Sequence, residues 1–80
     1  MHSKTVPVVN SAKIYLPECA LVHRITCSTS ADLVYLTAEG SIILGENVST
    51  YEPRTPLRVS AGDAVQVTVS GSATVTYLYE

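Results

Sequence analysis

Cys19, His23 and Cys27 are the residues of this chain whose side chains could carry nucleophilic, acid–base or metal chemistry. An imidazole titrates near neutral pH, and thiolates act as nucleophiles and zinc ligands. A structural zinc site needs four closely spaced ligands, and here the fourth is missing. On a strand, His23 and Cys27 would share a face but lie about 13 Å apart, too far for a Cys–His nucleophile. We therefore predict no catalytic residue, no metal site and no cofactor.

The remaining sequence contains no motif that indicates an enzyme. It has no glycine-rich phosphate loop, no nucleophile elbow and no cluster of carboxylates. Asp63 follows Gly62, and we expect its side chain to bond nearby backbone amides in a turn. A chain of 80 residues also has little room for a catalytic cleft. We predict that the protein is not an enzyme.

The two cysteines are predicted to be free. If residues 20–26 form one strand, the Cα atoms of Cys19 and Cys27 lie about 26 Å apart, whereas a disulfide needs them within about 7 Å. We expect two buried thiols that act as small hydrophobic side chains in a reducing compartment. A bond between subunits stays open as the alternative.

The strongest structural signal is the alternation of apolar and polar residues from Asp63 to Glu80. Successive side chains of a strand point to opposite faces, so this period of two predicts β-structure. The pattern pauses at Ser70-Gly71-Ser72, which predicts a hairpin with its turn at Gly71. The outer face of this hairpin has no lysine, so we expect a neighbouring subunit to cover its edge.

Shorter alternating runs precede the terminal segment. In residues 20–27, one predicted face carries Leu21, His23, Ile25 and Cys27. Pro7 cannot donate to a ladder, so it belongs at a sheet edge, unless residues 1–10 form an extended arm that reaches a neighbour. Residues 45–56 lack periodicity and are predicted to be a long loop. The sequence thus predicts an all-β single domain over residues 1–80, a small antiparallel β-sandwich or jelly roll of about seven short strands.

Charge and hydropathy exclude several partners. The net charge is -2, and the five basic residues are scattered along the chain, which argues against nucleic acid and anionic membranes. No apolar run approaches the ~20 residues of a bilayer span. The chain starts with Met and shows no apolar signal segment, so we expect a cytoplasmic product.

The composition favours self-association. Hydrophobic residues make up 46% of a chain too short to bury them all. We expect a homo-oligomer, with a trimer or pentamer favoured. Tyrosine and arginine are enriched in interface hot spots. The predicted interface residues are Tyr51, Pro53 and Arg54 in the long loop, and Tyr77 and Tyr79, which either cap the core or meet copies at a symmetry axis.

The last third of the chain, L-R-V-S-A-G-D-A-V-Q-V-T-V-S-G-S-A-T-V-T-Y-L-Y-E, resembles small all-β virion proteins of tailed bacteriophages, of the head-decoration and head-fibre types. The likeness lies in a strand, an A-G-D turn and a Thr/Val-rich hairpin that ends in tyrosine. It implies a structural subunit made in the host cytoplasm and added to a capsid or tail lattice. Sugar-binding β-sandwich modules share the S-A-G-D turn, so the alternative is a carbohydrate- or protein-binding module that uses Tyr51 to stack on a sugar.

Overall fold

Five β-strands form one antiparallel sheet. The computed structural model describes all 80 residues, and its strands are β1 (His2–Tyr15), β2 (Leu21–Thr37), β3 (Gly40–Tyr51), β4 (Leu57–Arg58) and β5 (Ala64–Tyr79). The order in the sheet is β1-β5-β2-β3, and the short β4 pairs with the start of β2. The all-β, antiparallel prediction is confirmed. The predicted number of about seven strands is wrong, because several predicted strands are halves of longer ones.

The terminal alternating segment is one long strand and not a hairpin. β5 continues through Gly71, whose φ of 89° bends the strand without reversing it. A hairpin would pair the two halves of this segment with each other. Instead, both halves pair with β1 on one side and with β2 on the other. The edge that lacks lysine is therefore covered by the chain itself, so the prediction that a neighbouring subunit covers it is wrong.

The long strands bend at a common level. A straight strand of 16 residues would span about 53 Å at ~3.3 Å per residue, whereas the longest dimension of the molecule is 31 Å. The pairing register shifts at residues 9–11 of β1 and 27–32 of β2. Left-handed backbone conformations occur at Asn10, Asn47 and Gly71. These irregular positions form a crease, and such bulges bend a strand and increase its twist.

One hydrophobic cluster draws on both sides of the crease. Apart from Ala64 at its start, the buried side chains of β5 are the odd-numbered ones, from Val65 to Val69 and from Ala73 to Tyr77, so they share one face across Gly71. Tyr77 is the largest fully buried side chain. Because each half of the sheet contributes to the same cluster, the bend lets a single sheet enclose its own core.

The start of β2 does not follow the predicted face. A register shift lies between Val22 and Arg24. As a result Val22 is fully buried, while His23 is only half-buried. Ile25 and Cys27 do point into the core, as predicted. A one-residue irregularity in a strand transfers the following side chains to the opposite face, which explains the error.

β3 extends much further than the sequence predicts. It continues past Gly45 to Tyr51, so the predicted long loop shrinks to residues 52–56. The interruption is a bulge: Asn47 has a φ of 54°, and its N–H donates to Oδ1 of Asp32 at 2.8 Å. A Cβ atom at Gly45 would lie 2.8 Å from Cγ2 of Val48. Glycine at position 45 therefore allows the backbone to approach Val48 closely at the bulge, where the alternation of apolar and polar residues is interrupted.

Candidate functional site

β3 forms one edge of the sheet and is not covered. It pairs with β2 only, so no strand satisfies the backbone groups that point away from β2. Ile42 is 60% exposed and Ile43 is 65% exposed, and adjacent residues of a strand point to opposite faces. The segment Gly40–Gly45 contains no charged residue and no proline. An exposed, apolar edge of this kind is a template for pairing with another chain.

β1 forms the opposite edge and is protected against pairing. It carries Lys4, Pro7 and Lys13. It also contains Asn10, whose φ is 62°, at a break in the pairing register with β5. Lysine, proline and bulges are the features by which natural edge strands resist association. Pro7 thus lies at a sheet edge, one of the two placements that the sequence leaves open, and residues 2–9 run along β5.

A cavity of about 500 Å³ lies beside β3. Its volume falls within the roughly 300–1,000 Å³ range of small-molecule sites. β3 and β4 supply much of its wall, and the turn that precedes β5 supplies a carboxylate. The main lining residues are Ile42, Leu44 and Tyr51 of β3, Leu57 and Arg58 of β4, and Asp63. An apolar wall with a few convergent polar groups is the composition typical of a binding site.

Asp63 is the one buried polar or charged residue of the protein. Its Oδ2 accepts a hydrogen bond from the Ser60 N–H at 3.0 Å, which confirms the predicted bond to a backbone amide. The same oxygen accepts a hydrogen bond from the Tyr35 hydroxyl at 2.8 Å. Burial, and then the hydrogen bond and charge of Asp63, raise the pKa of Tyr35 well above its usual value. Tyr35 therefore remains a protonated donor that holds the carboxylate in place.

The second oxygen of Asp63 remains available for a hydrogen bond. Oδ1 accepts no hydrogen bond within the chain, in contrast to Oδ2. Every fully enclosed side-chain oxygen or nitrogen of the protein has a partner. Oδ1 must therefore be reachable by solvent, and Asp63 lines the cavity. An ionised carboxylate with a free oxygen can accept a hydrogen bond from a hydroxyl or amine.

The five predicted interface residues differ in how far they are buried. Tyr51 ends β3, lines the cavity and packs against the core. Pro53 is half-buried and Arg54 is exposed. Tyr77 is 1% exposed and belongs to the core, so it offers no surface to a partner. Tyr79 is half-buried, and its ring centroid lies 5.4 Å from those of Tyr77 and His2.

The residues with reactive side chains are not assembled into a site. Nε2 of His23 lies 3.0 Å from Oε2 of Glu80, a surface pair that the sequence does not suggest. Both cysteines are free, and Cys27 is buried as predicted. Cys19 is exposed, contrary to prediction, because it lies in the turn before β2 with a φ of 66°. No group of three or more His, Cys, Asp or Glu side chains is arranged to hold a metal ion.

Comparisons of the chain with protein-family models, curated proteins and solved structures give no match. The structure contains no helix that could cross a lipid bilayer.

Two features of this region were not predicted from the sequence. The first is the uncharged segment 40–45, which becomes significant only because β3 is an edge strand. The second is the hydrogen bond between Tyr35 and Asp63, which are 28 residues apart. The open edge of β3 and the adjacent cavity are the two features that bear on function.

Proposed function

We propose that the protein is a non-enzymatic structural subunit that pairs with a second copy of itself. The observation that carries this proposal is the exposed edge of β3, whose segment Gly40–Gly45 carries no charge. We further propose that the subunit is an accessory protein of a bacteriophage virion, bound to a capsid or tail lattice, and assembled in the host cytoplasm. This second part draws on the resemblance of the last third of the chain to phage virion proteins.

Self-pairing of β3 is favoured by its side chains. Across a two-fold axis normal to the sheet, two β3 strands run antiparallel and can place their uncharged segments, Gly40–Gly45, beside each other. Ile42 and Ile43 of each copy then lose exposed apolar surface. Two β1 strands in the same arrangement would bring Lys4 and Lys13 of both copies to one contact, where like charges repel. β3 is therefore the edge at which copies meet.

The free energy of association expected for this contact suits a subunit that dimerises while it is bound to a larger particle. Covering the exposed parts of four isoleucine side chains contributes on the order of 4–8 kcal/mol. Association costs an estimated 4–15 kcal/mol, so the edge alone gives at most a weak dimer. Tethering to a particle surface raises the effective concentration and offsets that cost. An isologous contact closes with two copies, whereas a trimer or pentamer needs the β3 edge to meet a different surface.

Light scattering during size exclusion tests the pairing. The chain has a mass of 8.5 kDa, and we expect the measured mass to rise toward twice that value with concentration. Ile43→Lys places a charge on the free edge and should keep the protein monomeric. Val9→Lys is the matched control, since Val9 is 64% exposed on β1. A monomer at every concentration, or equal masses for Ile43→Lys and the wild type, would contradict the proposal.

Mass spectrometry of purified particles tests the virion assignment separately. Particles collected from cells that carry the gene in its native genome should contain the chain in a fixed ratio to the main capsid protein. Recovery of the chain only in the particle-free fraction would contradict this part of the proposal and leave the pairing of β3 unaffected.

A further inference from the structure

We propose that the cavity beside β3 binds a neutral sugar ring, with the ring face on Tyr51 and a sugar hydroxyl on Oδ1 of Asp63. The cavity has about 500 Å³ of space, and Asp63 lies at it with only 5% of its surface exposed. This site shares Ile42 with the edge contact, but it acts through side chains, whereas the edge contact acts through the free backbone groups of β3.

The carboxylate of Asp63 is built to present one oxygen. Tyr35 and the Ser60 amide both donate to Oδ2, at 2.8 Å and 3.0 Å. Asp63 lies in a turn that is closed by a backbone hydrogen bond: the Asp63 N–H donates to the Ser60 carbonyl oxygen at 3.1 Å. The side chain is therefore fixed, and Oδ1 is left as an acceptor without a partner. A ligand that donates a hydrogen bond would complete it.

The apolar part of the cavity supplies a face for a ring. Tyr51 is half-buried, and Leu57 lies with it in the lining. One face of a pyranose carries mainly C–H groups, and the face of an aromatic ring is electron-rich, so the two attract each other. Because Tyr51 also packs against the core, its ring loses little freedom when a ligand binds.

The charges in the lining select a neutral, hydroxylated ligand. Asp63 and Glu39 are acceptors, whereas Arg58 is a donor. A hydroxyl group both donates and accepts, so a sugar can satisfy both kinds of group. A simple ammonium ion has no atom that accepts a hydrogen bond from Arg58. An anion without a donor group makes no hydrogen bond with the two carboxylates. Anionic sugars are disfavoured for the same reason.

An NMR titration of the ¹⁵N-labelled protein tests this site. The probes are glucose, galactose, mannose and N-acetylglucosamine, each added to millimolar excess. We expect at least one sugar to cause saturable shifts confined to residues 35–44 and 51–63, which include the residues that line the cavity. Tyr51→Ala should weaken its binding roughly tenfold, the loss expected for one aromatic contact. Tyr15→Ala is the matched control, because Tyr15 is 65% exposed on β1, outside the cavity.

Two further variants separate the contributions. Asp63→Asn keeps the size of the side chain but places an N–H₂ group where the free oxygen lies, and it should weaken sugar binding. Its thermal unfolding is compared with the wild type, and if it does not fold, the Tyr51 pair of variants decides. Ile43→Lys, which should be monomeric, is expected to bind the sugar as the wild type does. The proposal is overturned if none of the four sugars shifts these residues, if Tyr51→Ala binds equally, or if methylammonium chloride produces the shifts instead.

Discussion

The two edges of this sheet lie on strands of similar length and have opposite character. β1 carries Lys4, Pro7 and Lys13, whereas the segment Gly40–Gly45 of β3 carries no charge and no proline. Both edges contain a left-handed asparagine at the crease, so bending does not distinguish them. The difference lies in the side chains that oppose pairing. One edge is built to stay alone, and the other leaves its backbone groups and two isoleucines available to a partner.

Removing the protection of β1 should have the largest effect on assembly. We expect the double variant Lys4→Val/Lys13→Val to form species larger than a dimer, because each molecule then offers two edges and the contacts no longer close. Sedimentation velocity would detect them as a concentration-dependent, fast-sedimenting population. The same pair of changes combined with Ile43→Lys should return the protein to small species. If the double variant sediments as the wild type does, these lysines do not protect β1.

Substitutions of two buried tyrosines allow the stability of the β3 side of the sheet to be compared with that of the β1 side. Tyr35 pairs with Ile42 of β3, and Tyr77 pairs with Lys4 of β1. Tyr35→Phe removes a hydrogen bond to the buried Asp63 and should lower the free energy of unfolding by about 1–3 kcal/mol. The Tyr77 hydroxyl has no hydrogen-bond partner within the chain and is not fully enclosed, so Tyr77→Phe should cost much less. Urea unfolding measures both, and equal losses would show that the Asp63 contact adds no stability.

The pKa values of the same two tyrosines predict how the stability of the protein changes at alkaline pH. Burial raises the pKa of Tyr77, with a further contribution from Tyr79, and the pKa of Tyr35 is raised more strongly. A group whose pKa is higher in the folded state contributes stability that is lost as pH rises above its unfolded value, about 10 for tyrosine. We expect the free energy of unfolding to decline from about pH 10 upward, by at most ~1.4 kcal/mol per pH unit for each tyrosine. Tyr35→Phe should flatten this decline more than Tyr77→Phe does, and an unchanged slope in both would contradict these assignments.

Local patterns were sufficient to identify the class of the fold. The alternation in Asp63–Glu80 predicts both the β-structure and the buried side chains Val65 to Tyr77. It does not distinguish a turn from a bend at Gly71, since Ser-Gly-Ser suits both. That choice depends on β1 and β2, which flank β5 and pair with each half of it. The two predicted strands of this segment form the single strand β5 because of pairing with distant segments, and not because of the residues at the predicted turn.

The functional features depend even more on distant contacts. Residues 40–45 look like an ordinary short strand, and only their position at the end of the sheet order makes them an open edge. The bulges at Val22–Arg24 and at Asn47 break the period of two, so the sequence mislabels a face of β2 and shortens β3. Asp63 is recognisable as a turn residue, but its partner Tyr35 lies in another strand. The cavity was therefore not predictable from spacing.

Amide hydrogen exchange at low and high protein concentration tests the central claim most directly. The claim is that copies meet at the edge of β3 and not at that of β1. We expect residues 41–45 to exchange more slowly as concentration rises, while residues 3–13 of β1 exchange at a constant rate. Slower exchange along β1, or no dependence on concentration at either edge, would contradict it.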